Sequence, residues 1–234
     1  MPRTNDKSKA RRSARGLGPE KGATRTERRP LSRERIAEEA LAAIDEVGVD
    51  GLTMRGLGAR LDVEAMALYH HFPSKGDLLD AVAEHLMGEL RMPRSGAPMD
   101  RIREGLRRYR GLAVKHPRAF ALVTTRRLST PRSLAVLEQI LAPFADAGFD
   151  AKMSARLFRL GGYFAGGAGH AEIASRAAQP DPTPIRLELA EPPPELPNVA
   201  RVAPHLRLSK LDDLFEFGLD QIMRVIEASP KTVD

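Results

Sequence analysis

From Leu31 onward, apolar and polar positions follow one another with a helical rather than a strand period. Ser32 reads as an N-cap, and after it Ile36, Ala40, Leu41, Ile44 and Val47 form a single apolar stripe. Gly48 ends this first helix, as glycine commonly does just past a helix C-terminus. Thr53 caps a second, short helix that carries Leu57 and Leu61 inward. The three residues Asp62 to Glu64 separate it from a third short helix, Ala65 to His71. Phe72-Pro73-Ser74 breaks the chain again, because proline restricts the residue before it. A fourth helix starts near Ser74, with Asp77 in its first turn, where the helix dipole favours a carboxylate, and with Leu78, Leu79, Val82, Leu86 and Leu90 as its apolar positions.

The Met92–Pro98 stretch holds two prolines and Gly96 and reads as a linker, which puts a domain boundary near residue 95. Helical patterns follow at about 100–115, 117–127, 131–147 and 151–175. Residues 176–207 contain eight of the chain's eighteen prolines and are expected to form a long irregular loop. A last helix runs from about Ser209 to Ala228. With no strand-period run and no internal repeat, the pattern predicts an all-α chain. Its expected parts are an arm over 1–30, a small helical domain over 31–95 and a larger one over 96–234.

Charge changes this picture at one end only. Residues 1–30 carry ten Lys or Arg against Asp6, Glu20 and Glu27, a net +7, whereas the whole chain is +6, so the other 204 residues sum to −1. That segment has almost nothing apolar to bury and is expected to be disordered in solution. It is either a solvated leader or an arm that wraps a polyanion. The absence of cysteine excludes disulfides, thiolate zinc sites and cysteine nucleophiles, and fits a reducing cytoplasm. No stretch reaches the apolar length of a membrane span, and the basic N-terminus lacks the apolar core of a secretory signal.

Two short helices joined by about three residues and braced by a longer first helix make a helix-turn-helix, a unit whose second helix enters the DNA major groove. Spacing alone leaves this open, since many helical bundles contain short helices. The residues decide more. The run Glu46-Val47-Gly48-Val49-Asp50-Gly51-Leu52-Thr53-Met54-Arg55-Gly56-Leu57-Gly58-Ala59-Arg60-Leu61-Asp62-Val63-Glu64, followed by Ala65-Met66-Ala67-Leu68-Tyr69-His70-His71-Phe72-Pro73-Ser74-Lys75-Gly76-Asp77-Leu78-Leu79, resembles the tetracycline-repressor (TetR) family of transcriptional regulators. Its most specific portion is Leu-Tyr-x-His-Phe-x-x-Lys-x-x-Leu-Leu, and the match covers roughly residues 32–90. The helix pattern beyond residue 100 is similar to that of the family's tetracycline-binding members. The resemblance implies a homodimeric repressor that binds a palindromic operator and is released by a small-molecule effector.

The chemistry of each position is readable beside the family. Arg55, near the start of the second helix, suits a bidentate contact to guanine; a phosphate contact or simple exposure is the alternative. Thr53 offers its hydroxyl and the helix amides to phosphate, or acts only as a cap. With Leu68 and Phe72 facing the core, Ala65, Met66, Ala67, Tyr69 and His70 are left for the groove, where Ala and Met can touch thymine methyl groups. Tyr69 and Lys75 are expected on phosphate, unless Tyr69 is a half-buried core aromatic. His70 and His71 point about 100° apart on a helix and make no metal motif. Position 62 is usually glycine in the family, in a left-handed turn; here it is Asp62, which tolerates that region at a cost on the order of 1 kcal/mol.

The final helix carries apolar residues on more than one face, Leu211, Phe215, Ile222 and Ile226 among them, and the 151–175 helix is rich in glycine, including Gly162 and Gly166. The family implies that these two helices form a four-helix dimer interface; an all-monomer core is the alternative. Middle-region aromatics (Tyr109, Phe120, Tyr163, Phe164) are candidates for an effector cavity or for plain core, with His116, Arg126 and His170 as polar candidates near it. Tetracycline-binding members hold the drug's magnesium through a histidine in the segment where this chain has Arg126, and arginine cannot ligate a metal. An acidic or lipophilic effector suits a pocket arginine better. No metal or cofactor motif appears. Nor does a phosphate loop or a nucleophile elbow, so a helical enzyme is the weakest reading; non-specific architectural DNA binding through the arm is the stronger rival.

Overall fold

The computed structural model describes residues 30–126, 130–178, 195–205 and 211–231. The basic arm over 1–29 and most of the proline-rich stretch lie outside the described residues. Among the described residues there is no strand, and no helix is long and apolar enough to cross a membrane.

Helix α1 (Arg33–Gly51) begins where Ser32 Oγ accepts the Arg35 amide at 3.2 Å. Gly48 interrupts it at φ 78°, ψ 169°, the break the sequence predicts, and one further turn follows. Helix α2 (Met54–Leu61) is capped by Thr53, whose Oγ1 accepts the Gly56 amide at 3.0 Å. Helix α3 (Ala65–Tyr69) is two residues shorter than its pattern suggests. Helix α4 (Lys75–Gly88) starts at Ser74, which accepts the Asp77 amide at 3.2 Å and donates to its carboxylate at 2.7 Å. Ile36, Ile44, Leu57, Leu68, Phe72, Leu78 and Leu86 are fully buried together, so the first four helices share one core.

The α2–α3 turn depends on two residues. A Cβ on Gly58 would lie 2.8 Å from the Val63 carbonyl oxygen, so only glycine allows the turn to close on α2. Asp62 occupies the left-handed region at φ 56°, ψ 46°. Asp62→Gly is therefore expected to stabilise the fold by up to about 1 kcal/mol, because glycine enters this region without a Cβ penalty. The check is the chemical-denaturation midpoint; no change, or a fall, would mean that the aspartate's own contacts offset the strain.

The remaining helices are α5 (Pro98–Lys115), α6 (Ala121–Thr125), α7 (Pro131–Asp146), α8 (Ala151–Ala178), α9 (Pro197–Val202), which runs into a 3-10 turn at Ala203–His205, and α10 (Leu211–Glu227). Helix α9 lies within the stretch expected to be irregular. Pro197 sits at its first turn, where the fixed φ of proline favours a helix and the missing N–H costs nothing. Helix α8 also runs three residues further into that stretch than expected.

Helix α5 is central and packs against α7, α8 and α10, while α4 packs against α1, α6 and α7. A second core joins Ile102, Phe144, Phe149, Leu157, Phe215, Leu219, Met223 and Ile226. The segment read as a linker is held in place: Met92 is buried, Arg101 Nε donates to the Pro93 carbonyl at 3.2 Å, and Arg108 donates to the Arg91 carbonyl. The corner between α5 and α6 also grips the first helices. Buried His116 lies with Nδ1 2.6 Å from Asp45 Oδ2 on α1 and Nε2 3.2 Å from Glu89 Oε2 at the end of α4. Glu89 also accepts from Lys115 at 2.5 Å, and these partners hold its carboxyl below its usual value against the opposing effect of its burial.

Candidate DNA interface and effector cavity

Burying Leu68 and Phe72 fixes what α3 shows to solvent. Met66 is 66% exposed, Tyr69 is 42% exposed and His70 is exposed, while Ala65 and Ala67 are half-buried beside them. Thr53 and Arg55 are exposed one helix earlier. Arg33, not singled out in the sequence, steadies this face: its guanidinium stacks 4.1 Å over the Phe72 ring and donates to the His71 carbonyl at the end of α3. Arg60 is turned away from such a role. It donates to Glu39 at 2.6 Å and to both oxygens of Glu46 at 2.7 and 2.9 Å, which lowers the Glu46 carboxyl and raises the guanidinium. Lys75 is half-buried, and its Nζ donates to the Val49 carbonyl at 2.9 Å, tying the start of α4 to the end of α1. That bond uses one of its three ammonium protons.

Away from α3 lies a cavity of about 150 Å³. Its wall comes from Met87 and Leu90 at the end of α4, Met92, the α5 stripe Ile102-Gly105-Leu106-Tyr109, Val123, Ile140 and Phe144 of α7, and Phe158 and Gly162 of α8. Among the described residues, the Tyr109 hydroxyl is the one polar side-chain group in this lining. Burial raises the phenol above its usual value, so at neutral pH it is a hydrogen-bond donor as well as an acceptor. A predominantly apolar wall with few polar groups makes this cavity a candidate small-molecule site.

Residues 36–82 match the sequence profile of bacterial regulatory proteins of the tetR family, and residues 93–229 match the tetracyclin repressor-like C-terminal domain. The chain belongs to the TetR family. Its first three helices are the N-terminal helix-turn-helix domain of that family. It is 37% identical over 121 residues to an HTH-type transcriptional regulator of Saccharopolyspora erythraea, an overlap of 51% of each chain, so it spans about half the length of that curated relative. A possible TetR-family transcriptional regulator from Streptomyces coelicolor A3(2) superposes with a TM-score of 0.68 at 27% identity, covering 84% of this chain and 99% of the other. The S. coelicolor TetR-family protein ActR in complex with actinorhodin superposes with a TM-score of 0.72 at 22% identity, covering 86% of this chain and 100% of that one, a likeness of fold.

Within this TetR-family chain, the residues suggested for an effector site separate. Tyr109 stands in the cavity wall. Phe120 is buried behind it, with ring centroids 5.4 Å from Tyr109 and 5.1 Å from His170. His116 belongs to the clamp on Asp45 and Glu89, and Arg126 reaches Asp80 on α4 at 3.3 Å, so neither lines the cavity. His170 is exposed apart from its ring contact, and Tyr163 points outward at 74% exposure. Phe164 stacks on Phe215 at 5.4 Å. The aliphatic wall was not singled out in the sequence, although the α5 spacing 102, 105, 106, 109 marks one helix face.

The residues suggested for a dimer interface also divide. Phe215 and Ile226 are buried in the chain's own second core, and Gly166 is buried against Tyr109, so these three do not offer a free surface. Gly162 lines the cavity, and Leu211 and Ile222 are half-buried. The second apolar face of α10 is instead Leu214, Phe217 and Val225, with Phe217 63% exposed, and α8 beside it exposes Leu160 and Tyr163. Periodicity shows that two faces exist but not which one points inward.

Proposed function

We propose that this chain is a ligand-responsive repressor that binds a palindromic operator as a homodimer and releases it when a small molecule fills the α4–α5–α7–α8 cavity. The observation that carries this reading is that α4 is shared: Lys75, Leu78 and Leu79 at its start pack on the helix-turn-helix, while Met87 at its end lines the cavity. Fourteen helical residues make a lever roughly 20 Å long. An occupant that displaces the cavity end moves the other end, and with it the spacing of the two reading helices in a dimer. Those helices must sit about 34–36 Å apart to enter successive major grooves, so a small shift costs operator affinity. The clamp through His116 makes α1 and α4 move together with the α5–α6 corner.

In this reading α3 reads bases with Met66 and His70, Arg55 reads a guanine, and Thr53, Tyr69 and Lys75 contact phosphates. The test is selection from a randomised duplex library, which is expected to return a twofold-symmetric site. Arg55→Ala is expected to cost about 1–3 kcal/mol and relax one base pair in each half-site. Lys75→Ala is expected to weaken all sequences alike and lower the salt slope by about one per chain. A selection that returns no symmetric site would favour architectural binding, and uniform losses for both variants would remove Arg55 from the base readers.

A further inference from the structure

Beside the inner cavity lies a second pocket of about 420 Å³, lined by Gly88, Arg91, Met92, Arg94, Val136 and Gln139. The two share Met92, and the α7 wall is continuous between them, since Val136 lines the outer pocket and Ile140, one turn on, lines the inner. They differ sharply in chemistry. Among the described residues, the side chains lining the inner cavity are apolar except for Tyr109, and they include the aromatic rings of Tyr109, Phe144 and Phe158. Among the described residues, the outer pocket is lined by two arginines and a glutamine and by no carboxylate.

Those two arginines stand out from their neighbours. On α5, Arg101 pairs with Asp146 at 2.5 Å, Arg107 with Glu216 at 2.6 Å and Arg108 with Glu104 at 2.7 Å. Arg91 and Arg94 have no ion-pair partner among the described residues. Their backbone is nonetheless fixed, by Arg108 on the Arg91 carbonyl and Arg101 on the Pro93 carbonyl. Arg91 is held at φ 41°, a region that residues with a side chain seldom occupy. A restrained backbone that presents two uncompensated forked donors is suited to bind a carboxylate. Met92 lines both pockets. Its thioether sits in the notch left by Gly105, where a Cβ would come within 2.9 Å of Sδ, and methionine is the unbranched, flexible side chain best able to give way to a ligand.

We infer that the effector is an amphipathic organic anion, with a flat apolar body in the inner cavity and an acidic head held by Arg91 and Arg94, the two joined past a displaced Met92. This rests on the reading of the cavity as the effector site. A head bound to Arg91 and Arg94 also pulls on the segment directly after α4, which gives the anion its purchase on the lever.

The test uses the full-length protein and two probes of one shape, 2-naphthoate and neutral 2-naphthamide, measured by calorimetry at fixed ionic strength. Wild type is expected to bind the naphthoate about tenfold or more tightly than the amide, as charge-assisted hydrogen bonds imply. Arg91→Gln combined with Arg94→Gln is expected to abolish that preference and leave the amide's affinity unchanged. Gly162→Leu, at a residue that lines the inner cavity and has room for a Cβ, is expected to abolish binding of both probes while helix content and melting are retained. Equal affinities that ignore the arginine changes but are lost in Gly162→Leu would overturn the anion inference and leave the cavity as the effector site. Failure of wild type to bind either probe, or binding that survives Gly162→Leu, would overturn the cavity reading and the inference with it.

Discussion

Tyr163→Asp combined with Phe217→Asp is expected to yield a folded, soluble monomer that has lost its operator. Tyr163 is 74% exposed and Phe217 63% exposed in the single chain, on the adjacent helices α8 and α10. Neither supports the chain's own core, so aspartate at either position has water around it in a monomer. In a twofold dimer each substitution acts twice. Buried interface aromatics are often worth about 2 kcal/mol or more apiece, so the four changes weaken a dimer by several kcal/mol, at least about 10³-fold. Operator affinity falls with it, because each half-site alone makes half the contacts. Sedimentation and operator binding measure both effects. Phe215→Asp is the control for a core position: stacked on Phe164 and 4% exposed, it is expected to unfold the C-terminal helices rather than dissociate a dimer. A double variant that remains a tight dimer would place the interface elsewhere.

Deleting residues 1–30 is expected to produce the second large effect, and only on affinity. The segment carries ten basic and three acidic residues and enters the chain directly before α1, which braces α2 and α3. Basic residues delivered beside a bound duplex displace counterions, each phosphate neutralised steepening the log–log salt dependence by about 0.9. The truncated chain is therefore expected to bind more weakly at low salt and to show a slope flatter by several units. Its preferred operator stays the same, since phosphate contacts carry little sequence information. The fold is also expected to stay, as the segment offers almost nothing apolar. A salt titration of full and truncated chains, with a scrambled duplex as control, reads this directly. Parallel slopes would mean that the arm never touches DNA.

Local rules made the first four helices readable in advance. Ser32, Thr53 and Ser74 each announce a helix start, and each accepts the amide three residues on. Gly48 marks a break because glycine alone takes positive φ freely, and Asp62 stands left-handed where the family has glycine. Features set by distant contacts were not legible. His116 meets Asp45 across 71 residues and Glu89 across 27, and no periodicity encodes either meeting. Arg126 sits at a suggestive place in the chain, yet the direction of its side chain is decided by Asp80 on another helix. Helix α10 displays two apolar faces, and the choice of Phe215 over Phe217 for the core is made by Phe164 on α8. The cavity is the hardest of these, because it is volume that packing leaves unfilled, and its aliphatic lining reads as ordinary core.

Two copies of this chain are expected to place their α3 helices in major grooves on one face of a symmetric site. Hydroxyl-radical footprinting of the library-selected operator, with sedimentation of the same complex, tests it most directly. Two chains per duplex are expected, with two dyad-related protected patches centred one helical turn, about 34–36 Å, or a multiple of it, apart. A single unsymmetrical patch, or protection that spreads without regard to sequence, would contradict it.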